Sequence, residues 1–521
     1  MISGPVLFRC LRICLTCLKK IDNGVNLFTM KEKNSVKKNF VMNVILALSS
    51  VIFPLISFRY VSKILSPVGT GKVSFATSVI SYYWIIACLG VPTYGIRAVA
   101  KVRDNKEELT RTVHELFFIS MITTAIAYIL LAISLAVVPR FQEDKILYVV
   151  ISMEMLLYTV GVEWMYKGLE EYTFITMLSI VFKFIAVVLM LVMIKQPSDY
   201  IIYGGLTIFA ACACDIVYFF NAHRYISMKP VGGYNLARHI RPVLIFFAMS
   251  CATTIYTHLD SVMLGFIAGD AEVGYYNAAV KIKYILVSVV TSLGAVLLPR
   301  ASYYISTKRF DEFKRIGSKA LNFVFVIAIP VIVYFTIFAK PGLLFISDTA
   351  YLPGLPAMRI IMPTVLFIGL TNILGLQMLV PLGKERFVLY SEIAGAVVDV
   401  IVNALAIPKY GAAGAAFGTL LAEAAVLLVQ YISLRDMVKD SFKQISYLKI
   451  IAAVAAASLA SFWVLNTSLG NFMTLLVSAL IFFAVYLAIL LLLKEELTTE
   501  IVLDIVNKVK ARFGQSESGK E

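Results

Sequence analysis

The chain has 521 residues, of which 60% are hydrophobic and 15% charged, with a mean hydropathy of +0.84 and a net charge of +15. A soluble domain carries about 25% charged residues, so this composition excludes an ordinary soluble enzyme. It also excludes a nucleic-acid binder, because no basic stripe with interleaved aromatics lies in a soluble segment.

Residues 1–38 are predicted as a cytoplasmic N-terminal tail. Its apolar stretch from Pro5 to Lys20 is followed by Lys31, Lys33, Lys37 and Lys38 with no small-residue cleavage site before them, so it reads as an interfacial segment rather than a signal sequence. Met30 is an alternative start of the chain. Beyond the tail, about fourteen stretches reach the ~20 apolar residues needed to cross a hydrocarbon core of ~30 Å. The first six, at 39–64, 74–98, 114–138, 146–166, 173–194 and 201–223, make an N-lobe over 39–224. A basic cytoplasmic linker, 225–241, leads to 242–267, 273–299, 319–339, 357–382, 387–407 and 412–434, a C-lobe over 242–434. Two further helices at 447–466 and 472–493 fill 435–494. The tail over 495–521 is an amphipathic segment on the cytoplasmic surface, with Ile501, Val502, Ile505, Val506 and Val509 on one face and Lys508, Lys510 and Arg512 interspersed. The predicted fold is an all-α integral membrane protein with two pseudo-symmetric six-helix lobes plus two C-terminal helices.

Basic residues are retained on the cytoplasmic side of short loops. Roughly 35 Lys and Arg flank one side of these spans against roughly 7 on the other, which predicts that both termini are cytoplasmic. The net charge thus reflects topology and contact with anionic inner-leaflet lipid. Cys88, Cys212, Cys214 and Cys251 lie within spans and Cys10, Cys14 and Cys17 in the tail, so no disulfide framework is expected. Cys212 and Cys214 are two apart and do not share a helix face, which argues against a metal pair.

An internal repeat organises the lobes. At an offset of 203, Gly71 falls on Gly274, Ala76 on Ala279, Arg97 on Arg300 and Ala98 on Ala301. The shift is an even number of helices, so the repeats share an orientation and are related by an axis along the membrane normal. A cavity between them is expected to be lined chiefly by helices 1, 2, 7 and 8. Gly414 and Gly418, four apart, allow close helix packing.

A charge at the centre of a membrane helix costs about 2.5 to 3.5 kcal/mol, so each needs a partner or a hydrated face. Arg59, Asp260 and Lys281 come from opposite lobes at comparable depth and are the expected cavity residues. Lys183 and Asp215, on adjacent helices at similar depth, are either a packing pair or part of the same site. Lys281 shares a face with Tyr284 and Ser288, whereas Lys283 is expected to point elsewhere. Arg97 and Arg300 end their helices inward, where they snorkel to lipid phosphate or guard an inward entrance. Glu154, Asp399 and Glu423 are candidates to bind a proton or sodium ion, and nothing in their spacing singles one out. His258 is on a different face from Asp260. No cofactor is expected: Gly69, Gly71 and Lys72 resemble a P-loop only in part, since Val73 and Ser66 break the pattern. Outward loops are too short for a catalytic domain, the longest being near 340–357, and neither a metal-ligand spacing nor a G-x-S-x-G elbow is present.

Three stretches carry a family likeness. They are RAVAKVRDNKEELTRTVHEL from Arg97 to Leu116, EWMYKGLEEY with Trp164, Lys167, Gly168, Glu170 and Glu171, followed by Ile175, Thr176 and Lys183, and LDSVMLGFIAGDAEVGYYNAAVKI with Asp260, Gly274, Tyr276, Asn277, Ala278 and Lys281, closed by LLPRAS. Over nearly its whole length the chain resembles the Wzx-type polysaccharide flippases of the multidrug/oligosaccharidyl-lipid/polysaccharide exporter superfamily. Leu178 departs from the basic residue expected two places after Thr176. The resemblance implies a MATE-like fold, a location in the bacterial inner membrane, and export of undecaprenyl-diphosphate-linked oligosaccharide, such as an O-antigen or capsule repeat unit, by alternating access. It further implies that Arg59 and Lys281 balance the diphosphate, that Asp260 offsets their charge and couples to a cation, and that the polymerase and chain-length machinery of the same pathway are candidate partners. A drug or metabolite cation antiporter of the same superfamily is the nearest alternative, and a membrane-embedded polysaccharide polymerase a more distant one.

Overall fold

The computed structural model describes residues 36–292, 294–500, 502 and 503; the predicted N-terminal tail up to residue 35 and most of the amphipathic tail fall outside them. Every regular element among the described residues is helical. Eight helices are long and apolar enough to cross a membrane, or ten if each of two bent pairs is one span. Two of the eight, of 62 and 60 residues, are each interrupted by a non-helical residue, Ser66 (φ 59°) and Gly411 (φ 52°). Counting these as hairpins makes the arrangement compatible with fourteen crossings.

The N-lobe begins with α1 (Val36–Cys88), whose first limb runs to Ser66, followed by α2 (Val91–Val102), α3 (Lys106–Val137), a short α4 (Pro139–Gln142), α5 (Lys145–Gly161), α6 (Glu163–Gly168), α7 (Tyr172–Met193) and α8 (Tyr200–Asn221). Buried hydroxyls set the directions. Thr176 and Tyr60 bond to the carbonyls of Met42 and Leu191, so the first limb of α1 runs parallel to α7. Thr123 bonds to the Ala87 carbonyl and Tyr83 to Ser134, so the second limb is antiparallel to α3. In lipid every backbone polar group must be satisfied within a helix, and each of these hydroxyls finds a carbonyl or hydroxyl on a neighbour.

The C-lobe comprises α9 (Ala237–Ile267), α10 (Asp270–Thr291), α11 (Gly294–Ser306), α12 (Phe310–Ile337), α13 (Ala339–Ile346), α14 (Leu355–Ile361), α15 (Thr364–Thr371) with a π-helical continuation at Asn372–Leu379, and α16 (Glu385–Gln444). In α16 a Cβ at Gly414 would collide with Ala406 and one at Gly418 with Asn403, which fixes its two limbs as a tight antiparallel hairpin. The Glu272 carboxylate accepts from the Ala412 N–H at 2.6 Å and caps the turn. Helices α17 (Tyr447–Phe462) and α18 (Asn471–Leu492) complete the chain, and Tyr486 bonds to the Val326 carbonyl of α12.

The linker is strapped to the N-lobe. Glu115, fully buried in α3, accepts from the Asn235 N–H at 2.7 Å, Arg238 Nε at 2.8 Å and His239 Nε2 at 2.7 Å, and His239 Nδ1 meets the Tyr94 hydroxyl at 2.8 Å. The first part of α9 then packs on α2's neighbourhood, where a Cβ at Gly90 would strike the backbone of Val243 and Phe247. A bend of 48° between Ala237–Ala248 and Thr253–Ile267 carries the rest of α9 into the C-lobe.

Candidate functional site

On the face that carries the Ser66 turn, here the turn face, the lobes meet closely. The repeat-paired glycines Gly71 and Gly274 lie backbone against backbone: a Cβ at Gly71 would overlap the Asp270 carbonyl, and one at Gly274 the Pro67 carbonyl. Phe266 of α9 packs edge-on to Phe75 of α1, 5.3 Å between centroids, and Arg140 is ion-paired with Asp270 across the seam. The Thr70 hydroxyl meets that of Tyr351 at 2.6 Å.

Beneath this seam a cavity of about 610 Å³ lies between the lobes. Its N-lobe wall comes from the second limb of α1 (Ser74, Thr77, Ser78), from Glu154 of α5 and from Thr207 of α8. Its C-lobe wall comes from α9, α10, the π segment and both limbs of α16. Five carboxylates (Glu154, Asp260, Glu392, Asp399, Glu423) and two ammonium groups (Lys281, Lys283) face it.

Asp260 is buried and its carboxylate is fully engaged. Asn403 Nδ2 donates to one oxygen at 2.7 Å, and Thr419 Oγ1 (2.9 Å) and the Tyr276 hydroxyl donate to the other. One helical turn before Asn403, Asp399 is buried against the Asp260 carboxyl with no amide, hydroxyl or ammonium donor on either oxygen, the Asn403 Oδ1 beside it is also without a partner, and the nearby Tyr256 hydroxyl faces Glu423. Lys283 is within electrostatic reach of Asp399 and Glu423. Lys281 has a different setting: its Nζ lies 4.9 Å from the ring centroid of buried Phe58, with no carboxylate at ion-pair distance among the described residues.

The expected site is therefore redrawn. Asp260 and Lys281 meet in one cavity, as the sequence reading has it. Arg59 does not join them: it is exposed, with its guanidinium 5.0 Å from the centroid of Phe345, because the first limb of α1 is packed against α13 and contributes no lining residue. Lys283 lines the same cavity as Lys281, which takes lining residues from both lobes around α10. Lys183 donates to Ser49 (3.1 Å) and Ser50 (2.9 Å) of α1 instead of pairing with Asp215, which is buried against Gly161 away from the cavity. Arg97 stacks over Phe246 and Arg300 is exposed; neither lines the cavity. Sequence reasoning names Asp399 and Glu423 without distinguishing them, and misses Tyr256, Asn403 and Thr419. The Asp399–Asn403 spacing of four, mid-span, is the signal that was available.

The sequence profile of the polysaccharide biosynthesis protein family matches residues 36–305, just over half of the chain. The chain belongs to that family. The MatE profile matches residues 214–405. Among curated relatives, the "Putative O-antigen transporter" of Shigella dysenteriae is 23% identical over 409 residues, 75% of this chain and 98% of that protein. Its namesake in Escherichia coli K12 is 22% identical over 67% of this chain and 84% of its own length. In fold the chain is similar to the lipid II flippase MurJ in an inward closed conformation, with a TM-score of 0.66 at 16% identity, covering 86% of this chain and 98% of that one. It is also similar to a multidrug resistance MATE family transporter, with a TM-score of 0.60 to the inward-facing conformation and 0.53 to the outward-facing one. The relatives and neighbours are named as transporters and flippases, and this chain is a multi-pass membrane transporter rather than an enzyme.

Proposed function

We propose that this protein flips a lipid-linked oligosaccharide, with undecaprenyl diphosphate as the anchor class, from the cytoplasmic to the outer leaflet of the bacterial inner membrane, both termini being cytoplasmic. The observation that carries the reading is Lys281: in a cavity between two lobes, in a chain of the polysaccharide biosynthesis family, one ammonium stands free of carboxylates and is available to an anion. A diphosphate takes that place, the sugars occupy the hydroxyl-lined N-lobe wall, and the lipid tail stays in the bilayer. Rocking of the lobes about the linker alternates access. Carrying two negative charges outward down a potential of 100 mV, inside negative, releases about 4.6 kcal/mol at ~2.3 kcal/mol per charge.

The C-lobe wall supplies the coupling ion. A buried carboxylate without a donor is costly, and the oxygens of Asp399 and Asn403 beside the Asp260 carboxyl form a set suited to a proton or to sodium, a hard cation that takes oxygen ligands. Cation release to one side and substrate release to the other are then linked through the same lobe motion.

The test uses the protein in liposomes with a labelled undecaprenyl-diphosphate oligosaccharide, scoring protection from an external sugar-modifying enzyme. Protein-dependent movement between leaflets that falls with Lys281→Ala supports the reading. A second reading, export of organic cations, is favoured by the excess of carboxylates over lysines in the cavity. Efflux of an organic cation from the same vesicles with no lipid movement would replace the first reading by the second.

A further inference from the structure

Arg59, displaced from the cavity, belongs to a second constellation. It is followed one helical turn later by Lys63, and both are exposed on the first limb of α1. Lys195, exposed just beyond α7, joins them: its Nζ donates to the Leu191 carbonyl at 2.7 Å and to the Tyr60 hydroxyl at 3.3 Å, which draws the ammonium back onto α1. Arg59 and Lys63 have neither an ion-pair partner nor a hydrogen-bond acceptor among the described residues, whereas Lys72 and Arg140 on the same face are paired with Asp144 and Asp270. Arg59 and Lys63, one turn apart, repel unless an anion joins them, and Lys195 is held at Tyr60, the residue next to Arg59.

Depth and shape point to the anion. Arg59 precedes the Ser66 turn by seven residues, about 10 Å at ~1.5 Å per residue, so its side chain reaches headgroup level by snorkelling. Below it on the same helical face, Leu48, Ile52 and Ile56 are about half exposed. A phosphate accepts from the planar guanidinium fork, and an apolar chain lies along the three aliphatic side chains.

We infer that the turn-face end of α1 is a binding site for the phosphate of a membrane lipid, held by Arg59, Lys63 and Lys195. This goes beyond the proposed transport activity, and the phosphate belongs either to an isoprenyl diphosphate or to an anionic phospholipid. The test is native mass spectrometry of the full chain in detergent with added undecaprenyl diphosphate, phosphatidylglycerol or phosphatidylethanolamine, comparing wild type with the Arg59→Gln/Lys63→Gln/Lys195→Gln variant and with each single change. A fall of about tenfold or more in retained undecaprenyl diphosphate alone, ~1.4 kcal/mol, supports the site and names the isoprenyl lipid as its ligand. A like fall for phosphatidylglycerol as well supports the site with bulk lipid as the source. Unchanged retention of both anionic lipids in the triple variant, or in all single variants should the triple one not fold, overturns it. Flipping by a variant with unchanged lipid retention would remove this site and leave the transport reading standing.

Discussion

At the positions that the 203-residue repeat pairs with Asp260, Tyr276, Lys281 and Lys283 of the C-lobe, the N-lobe has Ser57, Val73, Ser78 and Ile80, all buried. The backbone plan is nevertheless shared. In the N-lobe the first limb of α1 runs parallel to α7, and in the C-lobe α9 runs parallel to the first limb of α16, where Gly395 lies on Tyr256 and Asn403 on Asp260. The scaffolds are alike and their charge is not: the C-lobe supplies four of the five carboxylates and both ammonium groups that face the cavity, and the N-lobe offers hydroxyls and a seam. An axis along the membrane normal requires matched helix directions and leaves the side chains free to diverge.

The comparison can be broken most severely where the lobes are most alike. Gly71→Val or Gly274→Val places a side chain against backbone that cannot move aside, and overpacking of even ordinary side-chain contacts costs about 1–3 kcal/mol. Either variant is expected to lose more than ~100-fold in lipid flipping and to raise the labelling of a cysteine introduced beside Asp270; normal flipping by both would show that the seam need not close. The next effect separates the lobes. Lys281→Ala is expected to slow flipping roughly tenfold to a hundredfold, the value of about 1.5–3 kcal/mol for a hydrogen bond to a charged group, while its repeat counterpart Ser78→Ala stays within about twofold. Equal losses would place the anion between the lobes without preference. Asp399→Asn is expected to abolish the dependence of flipping on a sodium or proton gradient, and Ser57→Ala to preserve it, as read by varying each gradient in the same vesicles. A gradient response unchanged in Asp399→Asn would move the coupling site elsewhere. The smallest effect is at the rim: a double-mutant cycle of Arg140→Ala and Asp270→Ala is expected to show a coupling of about 1 kcal/mol in thermal stability, near the upper end for a surface pair.

Family-like stretches turn out to hold the scaffold. In Arg97–Leu116, Asn105 caps α3 by accepting from the N–H groups of Glu107 and Glu108, and Glu115 anchors the linker. In the EWMYKGLEEY stretch, Lys167 pairs with Glu163 at 3.0 Å, and Glu170, at φ 63°, pairs with Arg103 at 2.8 Å. Glu495 shows the same economy beyond the last span. It is fully buried, and although burial by itself pushes its pKa up, hydrogen bonds from Thr498, Asn322 and the Leu497 N–H hold the carboxyl below its usual range.

Length and hydropathy were enough to mark the chain as an all-helical protein that crosses the membrane many times, because the cost of exposing polar backbone to lipid acts on each segment separately. The glycine pair, the lobes and the isolated charges were legible for the same reason: a buried charge or a missing Cβ is improbable within one helix whatever surrounds it. Periodicity also set Lys281 and Asp260 on plausible faces. Which helices those faces meet was decided only by tertiary packing. The first limb of α1 turned against α13 and took Arg59 to the rim, α10 brought Lys283 as well as Lys281 to one cavity, and the α16 hairpin carried Asp399, Asn403 and Thr419 to Asp260 across more than a hundred residues. Such meetings depend on the fit of surfaces distant in the chain, a quantity that no local pattern of residues contains.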